Sequence, residues 1–304
     1  MDVSTDTISP IFLVSPQNII FAIILIVSLL FLPESPRFLA AKGMDVKAEA
    51  AMRKIRYDDE IEDELTELKA ECEEEKELGV ASWREVFNVD NKMRYRLMLG
   101  IGLQSVQQLC GINAIMFYAP TILKDFFGQR ESIIATFVLN AINFLSTFIT
   151  IYAVERYGRV KLLVSGGIIM CLSLIANAVL AGIPQSPAVG YAVVLFSAIF
   201  VVGFAYSWGP VVWTVCSEFF PLRARGKATG LTTMSNWIWT TIIGAVFPMA
   251  STASLSGCFG FFSGVIFLGI WMVYLLMAET AKKTILEIDE AYANHKPKLL
   301  RKKW

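Results

Sequence analysis

Between Leu97 and Met277 the chain is almost entirely apolar, and its charges come in three short bursts. The acids there are Asp125, Glu131, Glu155 and Glu218; the bases are Lys124, Arg130, Arg156, Arg159, Lys161, Arg223, Arg225 and Lys227. A helix that crosses a bilayer needs ~20 mostly apolar residues. The uncharged stretches supply six of them, at about 97–120, 132–153, 162–182, 190–215, 228–250 and 256–277. Six buried helices of a soluble core would show polar outer faces on most of them, and these segments have almost none. Ahead of them, Ile19–Leu32 is a 14-residue apolar run, too short to span alone. With the apolar residues 11–14 before Pro16, it predicts a kinked seventh span over about 8–32.

The intervening segment 33–93 reads differently. It holds 17 of the 27 acidic residues. Ala48, Met52 and Ile55 recur at i, i+4, i+7, and Ile61, Leu65, Leu68 and Cys72 at i, i+4, i+7, i+11. Each pattern is a narrow apolar stripe on an acidic helix. The stripes predict packing against another surface; a solvated linker is the alternative. The run Glu73-Glu74-Glu75 reads as a solvated face.

Charge asymmetry sets the orientation. Loops 155–161 and 218–227 each carry three cations and one anion. The tail after Met277 carries seven cations against four acids. The alternating loops are neutral, so the positive-inside rule puts the charged loops, segment 33–93 and the C-terminus in the cytoplasm. Residues 1–32, 33–93, 94–277 and 278–304 are then an N-terminal region with its span, a cytoplasmic helical region, a six-helix bundle and a cytoplasmic tail. The fold class is all-α integral membrane, and a multi-pass protein of the plasma membrane is expected.

Composition agrees. The hydrophobic share is 55%, mean hydropathy is +0.54, and charged residues make up 18% against an ordinary ~25%. Acids and bases balance, 27 against 27, so no whole-chain field draws the protein to nucleic acid. Five scattered cysteines without a Cys-x-x-Cys, and a single histidine at His295, exclude a disulfide scaffold, a zinc ribbon and a histidine-based triad in the body of the chain. No metal, cofactor or enzymatic activity is expected.

What the spans hold instead of charge is amides: Gln104, Gln107, Gln108, Asn113, Asn140, Asn143, Asn177 and Asn236. Isolated amides in a membrane act as interhelical glue, at ~0.6 kcal/mol per hydrogen bond. A cluster is different. Gln104, Gln107 and Gln108 share one helix face by i, i+3, i+4 spacing. A break at Gly111 would turn Asn113 toward the same space. Each amide both donates and accepts, as a hydroxyl does, so a neutral polyol fits and a charged solute would find nothing to offset it. Gly203, Gly209 and Pro210 interrupt the fourth span, and interrupted spans mark transporter binding sites. Trp213 can offer a flat face and an indole N–H to a sugar ring; anchoring at the membrane interface is the alternative role.

These residues resemble a known family. Pro33-Glu34-Ser35-Pro36-Arg37 is similar to the motif after the sixth helix of sugar porters of the major facilitator superfamily. Gln107–Pro120 resembles their seventh-helix signature, Glu155–Arg159 the loop after the eighth, Trp208–Ala228 and Ser235–Trp237 the tenth and eleventh helices, and Ala278–Asp289 the final motif. The resemblance implies sugar contacts at Gln107, Gln108, Asn113, Asn143, Trp213 and Asn236, with Phe204 and Trp237 as pocket aromatics. It also implies that Glu155, Arg159, Glu218 and Arg225 form a cytoplasmic gate. Ala278, Ala281 and Lys282 replace the Pro, Lys and Gly of the last motif, and Ala205 stands where some members carry a glutamate. The family's first five helices have no counterpart in the chain, which points to a truncated gene model or a divergent start.

The expected function is transport of a monosaccharide, a hexose such as glucose, by alternating access. Facilitated diffusion and proton coupling both stay open, since no acid lies within the spans. A complementary N-terminal bundle is the expected partner. The alternative is a non-transporting truncated protein or a sugar sensor.

Overall fold

The computed structural model describes residues 16–54, 61–79, 81–88, 92–283 and 285–293. Among them every regular element is helical, and the chain divides into two compact units, Met1–Gly79 and Val80–Trp304.

The first unit contains α1 (Pro16–Phe31), α2 (Pro36–Ala41), α3 (Asp45–Met52) and α4 (Ile61–Leu78). Helix α1 is apolar on every side, and its side chains from Ile19 to Leu32 are exposed. Its 16 residues span ~24 Å, short of a ~30 Å hydrocarbon core. The part of the expected kinked span before Pro16 lies outside the described residues, as does Ile55. The two acidic helices close their stripes on one another. Ala48, Ala51 and Met52 of α3 meet Ile61, Leu65 and Cys72 of α4 and Leu39 and Ala40 of α2 in a small separate core, with Leu68 partly buried against it. Lys69 pairs with Asp45 across α4 and α3 at 3.3 Å.

The second unit is the apolar bundle. It contains α5 (Trp83–Val86), α6 (Met93–Leu109), α7 (Ile112–Phe127), α8 (Gln129–Tyr157), α9 (Arg159–Ala181), α10 (Pro187–Gly203), α11 (Gly209–Glu218), α12 (Leu222–Leu276) and α13 (Ile285–Ala293). A five-residue π-helical turn, Phe204–Trp208, joins α10 to α11. Among the described residues five stretches are long and apolar enough to cross a membrane: Met93–Lys124, Gln129–Tyr157, Arg159–Ala181, Pro187–Glu218 and Arg223–Leu276. The last has 54 residues, ~80 Å of helix, more than twice what one crossing takes. It breaks at Ser254, where φ is −164° and ψ 102°. The rings of Phe247 and Phe262, on either side of that break, stack at 6.1 Å, so the chain doubles back and the stretch makes two crossings. Six apolar crossings result among the described residues.

Small residues let these helices approach closely. Trp208 is fully buried, donates its indole N–H to the Leu163 carbonyl at 2.8 Å, and packs where Gly167 of α9 and Gly269 of α12 leave room. A Cβ on Gly269 would lie 3.0 Å from the Trp208 ring and 2.5 Å from Val106. Van der Waals fit of this kind holds apolar helices together where lipid tails are as apolar as the side chains.

The contact boundary at Gly79 assigns α5 to the bundle rather than to the preceding helices. The Ala81 N–H donates to the Arg223 carbonyl at 3.1 Å, and Lys227 donates to the Ala81 carbonyl at 2.8 Å while lying over the Trp83 ring. Ser82 caps α5 in a reciprocal box with Glu85. Hydrogen bonds from the Ser82 backbone N–H and hydroxyl hold the Glu85 carboxyl below its ordinary range.

The segment after Met277 is docked as well. Arg96, 1% exposed, pairs with Asp289 of α13 and donates to the carbonyls of Phe219 and Asp289 at 3.0 and 3.1 Å. Its guanidinium also lies over the Tyr292 ring, whose phenol burial pushes upward in pKa. A guanidinium stays charged, so removing an acceptor leaves buried charge uncompensated. Asp289→Ala is therefore expected to lower stability by ~3 kcal/mol. Arg96→Met, which removes the charge and keeps the volume, is expected to cost less. Thermal unfolding in detergent, followed by tryptophan emission, gives the order.

Candidate substrate-recognition site and charged end

The amides of α6, α7 and α12 form one directed hydrogen-bond chain. It starts at Asn113, which donates to Gln108 Oε1 at 2.5 Å. Gln108 donates to Asn236 Oδ1 at 2.7 Å. Asn236 donates from Nδ2 to Gln104 Oε1 at 2.6 Å and to Gln107 Oε1 at 2.7 Å. Gln107 ends the chain, donating to the carbonyls of Trp208 and Gly209 at 2.7 and 2.8 Å.

Local sequence explains each step. Gln104, Gln107 and Gln108 share a face of α6. Gly111 ends that helix in the left-handed region, φ +87°, where glycine is favoured. A Cβ there would also meet the Phe262 ring at 2.3 Å. The break turns Asn113 back to Gln108. The π-helical turn widens the backbone and frees carbonyls from their usual partners. Neighbouring side chains take them up: Gln107 bonds Trp208 and Gly209, and the Thr150 hydroxyl donates to Ala205 at 3.0 Å.

Counting valences divides the roles. A carboxamide has two donors and two acceptor lone pairs. Both donors of Gln107 and both donors of Asn236 are committed, and each residue is 2% exposed. Gln108 keeps one donor and one lone pair; Asn113 keeps one donor and its whole carbonyl oxygen. These two are the half-buried members. The free hydrogen-bonding capacity thus sits at the open end of the chain. Gln104, fully buried behind Asn236, belongs to the network although no motif marks it; its i, i+3, i+4 relation to Gln107 and Gln108 is the signal.

The remaining predicted site residues lie elsewhere. Asn143 is half-buried on α8, and its carboxamide bonds to no described residue. The Phe204 ring lies against Gly209, where a Cβ would be 3.1 Å from it. Trp213 and Trp237 are exposed. None of the four hydrogen-bonds to the amide chain. A separate cavity of about 420 Å³ opens between the two arms of α12. Its lining, Ile243, Phe247, Cys258 and Phe262 among others, is almost wholly apolar and includes no predicted site residue.

At the charged end, Arg159 and Glu218 pair at 2.6 Å, and the Thr280 hydroxyl donates to the other Glu218 oxygen at 2.7 Å. Glu279 caps α9: its carboxylate accepts from the N–H groups of Arg159, Val160, Thr280 and Ala281 at 2.8–3.1 Å. A carboxylate there also complements the helix dipole. Gly158, φ +86°, admits it, since a Cβ would lie 2.7 Å from the carboxylate. Arg225 donates from Nε to the Phe220 carbonyl at 3.3 Å. Glu155 is exposed, and its carboxylate pairs with no described residue.

Residues 12–292 match the family model described as "Sugar (and other) transporter". The chain belongs to the sugar transporter family. Sugar transport protein 12 of Arabidopsis thaliana is 36% identical over 284 residues, covering 90% of this chain and 55% of that protein. The high-affinity hexose transporter HXT6 of Saccharomyces cerevisiae is 34% identical over 287 residues, covering 88% and 49%. The chain thus spans about half the length of the curated relatives it matches. The solved structure of the proton:xylose symporter XylE bound to 6-bromo-6-deoxy-D-glucose superposes with a TM-score of 0.74 at 25% identity, covering 91% of this chain and 58% of that one. An inward-open XylE from E. coli gives 0.69 at 26%, covering 90% and 55%.

Within this sugar transporter bundle, the committed and open amides should behave differently. Gln107→Leu leaves one buried Asn236 donor unpaired, at ~1–3 kcal/mol, and removes the side-chain bonds to the Trp208 and Gly209 carbonyls. Gln108→Leu changes a half-exposed residue with spare valences. Thermal unfolding in detergent is expected to show the larger loss for Gln107→Leu.

Proposed function

We propose that this bundle recognises a hexose in a transporter that works by alternating access, and that Gln108 and Asn113 make the first hydrogen bonds to it. The carrying observation is the unspent donor and acceptor capacity at these two residues, in spans without a charged side chain at that depth. Sugar hydroxyls match it in kind. Gln107 and Asn236 stand behind as positioning residues, linking Gln108 to the carbonyls of Trp208 and Gly209. Asn143, Phe204, Trp213 and Trp237 complete the sugar's surroundings from the other helices. Hexose transporters among the relatives, and a structural neighbour holding a halogenated deoxyglucose, support the reading.

In the same reading the loops at Arg159 and Glu218 are cytoplasmic, following their excess of cations, and the membrane is the plasma membrane. Glu155, Arg159, Glu218 and Arg225 form the gate at that face. A second, complementary bundle faces this one across the sugar, consistent with a chain about half the length of its relatives. Any proton coupling is carried outside this bundle. The same half-length favours the second reading, a product that binds sugar without moving it.

Binding and flux test the two readings separately. Labelled glucose is titrated onto the detergent-solubilised chain by equilibrium dialysis, with xylitol as a flexible polyol control. Asn113→Ala and Gln108→Ala are each expected to weaken glucose binding about tenfold, ~1.4 kcal/mol. Unchanged affinity in both variants would sink the assignment. Proteoliposomes containing the chain then report saturable glucose entry if it transports, and none if it only binds.

A pH titration adds a further check. With no carboxylate or histidine bonded to the amide chain among the described residues, glucose affinity is expected to stay within about twofold from pH 5.5 to 7.5. The same dialysis, run at each pH, decides.

A further inference from the structure

At the charged end of the bundle is a cleft of about 360 Å³ lined by Arg159, Glu218, Arg225, Thr280, Lys282 and Lys283 among others. Four of these side chains are cations and one is an acid. The acid is already occupied. Glu218 accepts from Arg159 at one oxygen and from the Thr280 hydroxyl at the other. Little negative charge therefore remains for Lys282 and Lys283, which are exposed and make no ion pair with any described residue. Arg159 itself is incompletely satisfied. Nη2 meets Glu218 and Nη1 the Val154 carbonyl, while its Nε is buried without a hydrogen-bond partner.

The backbone at Lys282 is a second, independent observation. Its φ is +57°, in the left-handed region that side chains with a Cβ adopt only under strain. The left-handed conformation is held here by a lysine, not by the glycine that would take it without cost. Unfavourable backbone tends to persist where it serves a site. Here it presents an ammonium group at a cleft rim that already holds two arginines, with Lys283 beside it.

We infer that this cleft binds an anion bearing adjacent phosphates. Several cations around one concave opening favour clustered negative charge over a lone monoanion. The arginines offer planar, multiply donating groups and the lysines mobile point charges, a combination suited to phosphate oxygens. The shared chemistry is a di- or triphosphate group. It comes either from a soluble nucleoside polyphosphate or from the headgroup of a phosphorylated inositol lipid. Bound there, the anion bridges the Lys282–Lys283 segment to Arg159 at the start of α9, which fastens the segment between α12 and α13 to the bundle. This inference is independent of which sugar, if any, the amide chain recognises.

The test uses the full chain in detergent at low salt. Inorganic tripolyphosphate, ATP and inorganic monophosphate are titrated by calorimetry. Flotation with phosphatidylcholine vesicles, with or without phosphatidylinositol bisphosphate, tests the lipid source. Saturable tripolyphosphate binding at least tenfold tighter than monophosphate is expected. ATP binding in micelles assigns the soluble source; recruitment only to the inositol-lipid vesicles assigns the lipid source. The diagnostic variant is Lys282→Gly with Lys283→Ala. It removes both free cations and relieves the left-handed backbone, so it is expected to unfold at or above the parent temperature. It is also expected to lose at least tenfold in polyphosphate or vesicle affinity. Equal affinity in that folded variant, or no saturable binding of any probe, overturns the inference.

Discussion

A widened helical turn inside a membrane cannot leave its carbonyls unpaired, and this constraint organises the bundle. In hydrocarbon an unsatisfied backbone group costs several kcal/mol, whereas a hydrogen bond between helices contributes ~0.6 kcal/mol on average. The asymmetry means that Gln107 matters less for what its bonds add than for what their absence would expose. The π-helical turn at Phe204–Trp208 makes the demand, and α6 meets it with Gln107 and α8 with Thr150. Once Gln107 is fixed by two backbone carbonyls, Asn236 is fixed by Gln104 and Gln107, and Gln108 by Asn236. Rigidity at the open end is inherited from the buried end. The amides are thus held in place without a solute, and in the proposed reading less ordering remains to be done on binding.

The two regions of the bundle use different chemistry for a physical reason. Mid-span, a bare charge would be expensive, and the described spans meet their polar needs with neutral amides and hydroxyls. At the charged end, water and loop backbone are available. There the structure uses full charges: Glu279 on the first N–H groups of α9, Glu218 on Arg159, Asp289 on Arg96. Neutral bonds mid-span suit a neutral solute that must be released as readily as it is bound. Charged contacts at the end suit a closure that forms and breaks as a unit.

Much of this was legible in the sequence. The spans could be read because charges fall only where the chain leaves the apolar phase, and α6 to α12 follow that punctuation within a few residues. The turn at Gly111 could be read because a glycine separates two amide-bearing segments. The face shared by Gln104, Gln107 and Gln108 follows from helical spacing alone. What could not be read depends on contacts between distant segments. That both Gln107 donors are spent on Trp208 and Gly209 depends on a π-helical register that periodicity does not encode. Glu279 becomes a helix cap only because residues 120 positions apart meet in space. Arg96 lies at the start of an apolar span, where it reads as a topology signal; its partner Asp289 lies in a tail that composition alone describes as solvated. The acidic helices α3 and α4 showed their stripes, but not that those stripes would bury each other with α2.

The directed order of the amide chain bears on how such a bundle could discriminate among solutes. From Asn113 through Gln108, Asn236 and Gln107 each donates to the next member on the path to the π-helical turn, with one branch from Asn236 to Gln104. Polarisation along a chain of hydrogen bonds strengthens each member. An acceptor that engages the free donor of Gln108 or Asn113 competes with water for a group already held in position. A donor that approaches the carbonyl oxygen of Asn113 meets an acceptor that the same carboxamide's N–H donation to Gln108 both polarises and holds in direction. A solute with hydroxyls set on a rigid ring can satisfy both kinds of site at once, because each hydroxyl donates and accepts. A flexible polyol must first lose conformational freedom, and an apolar ring would leave the two amides without partners. In the proposed reading recognition rests on geometry more than on strength, and that geometry traces back to two carbonyls where the π-helical turn meets α11.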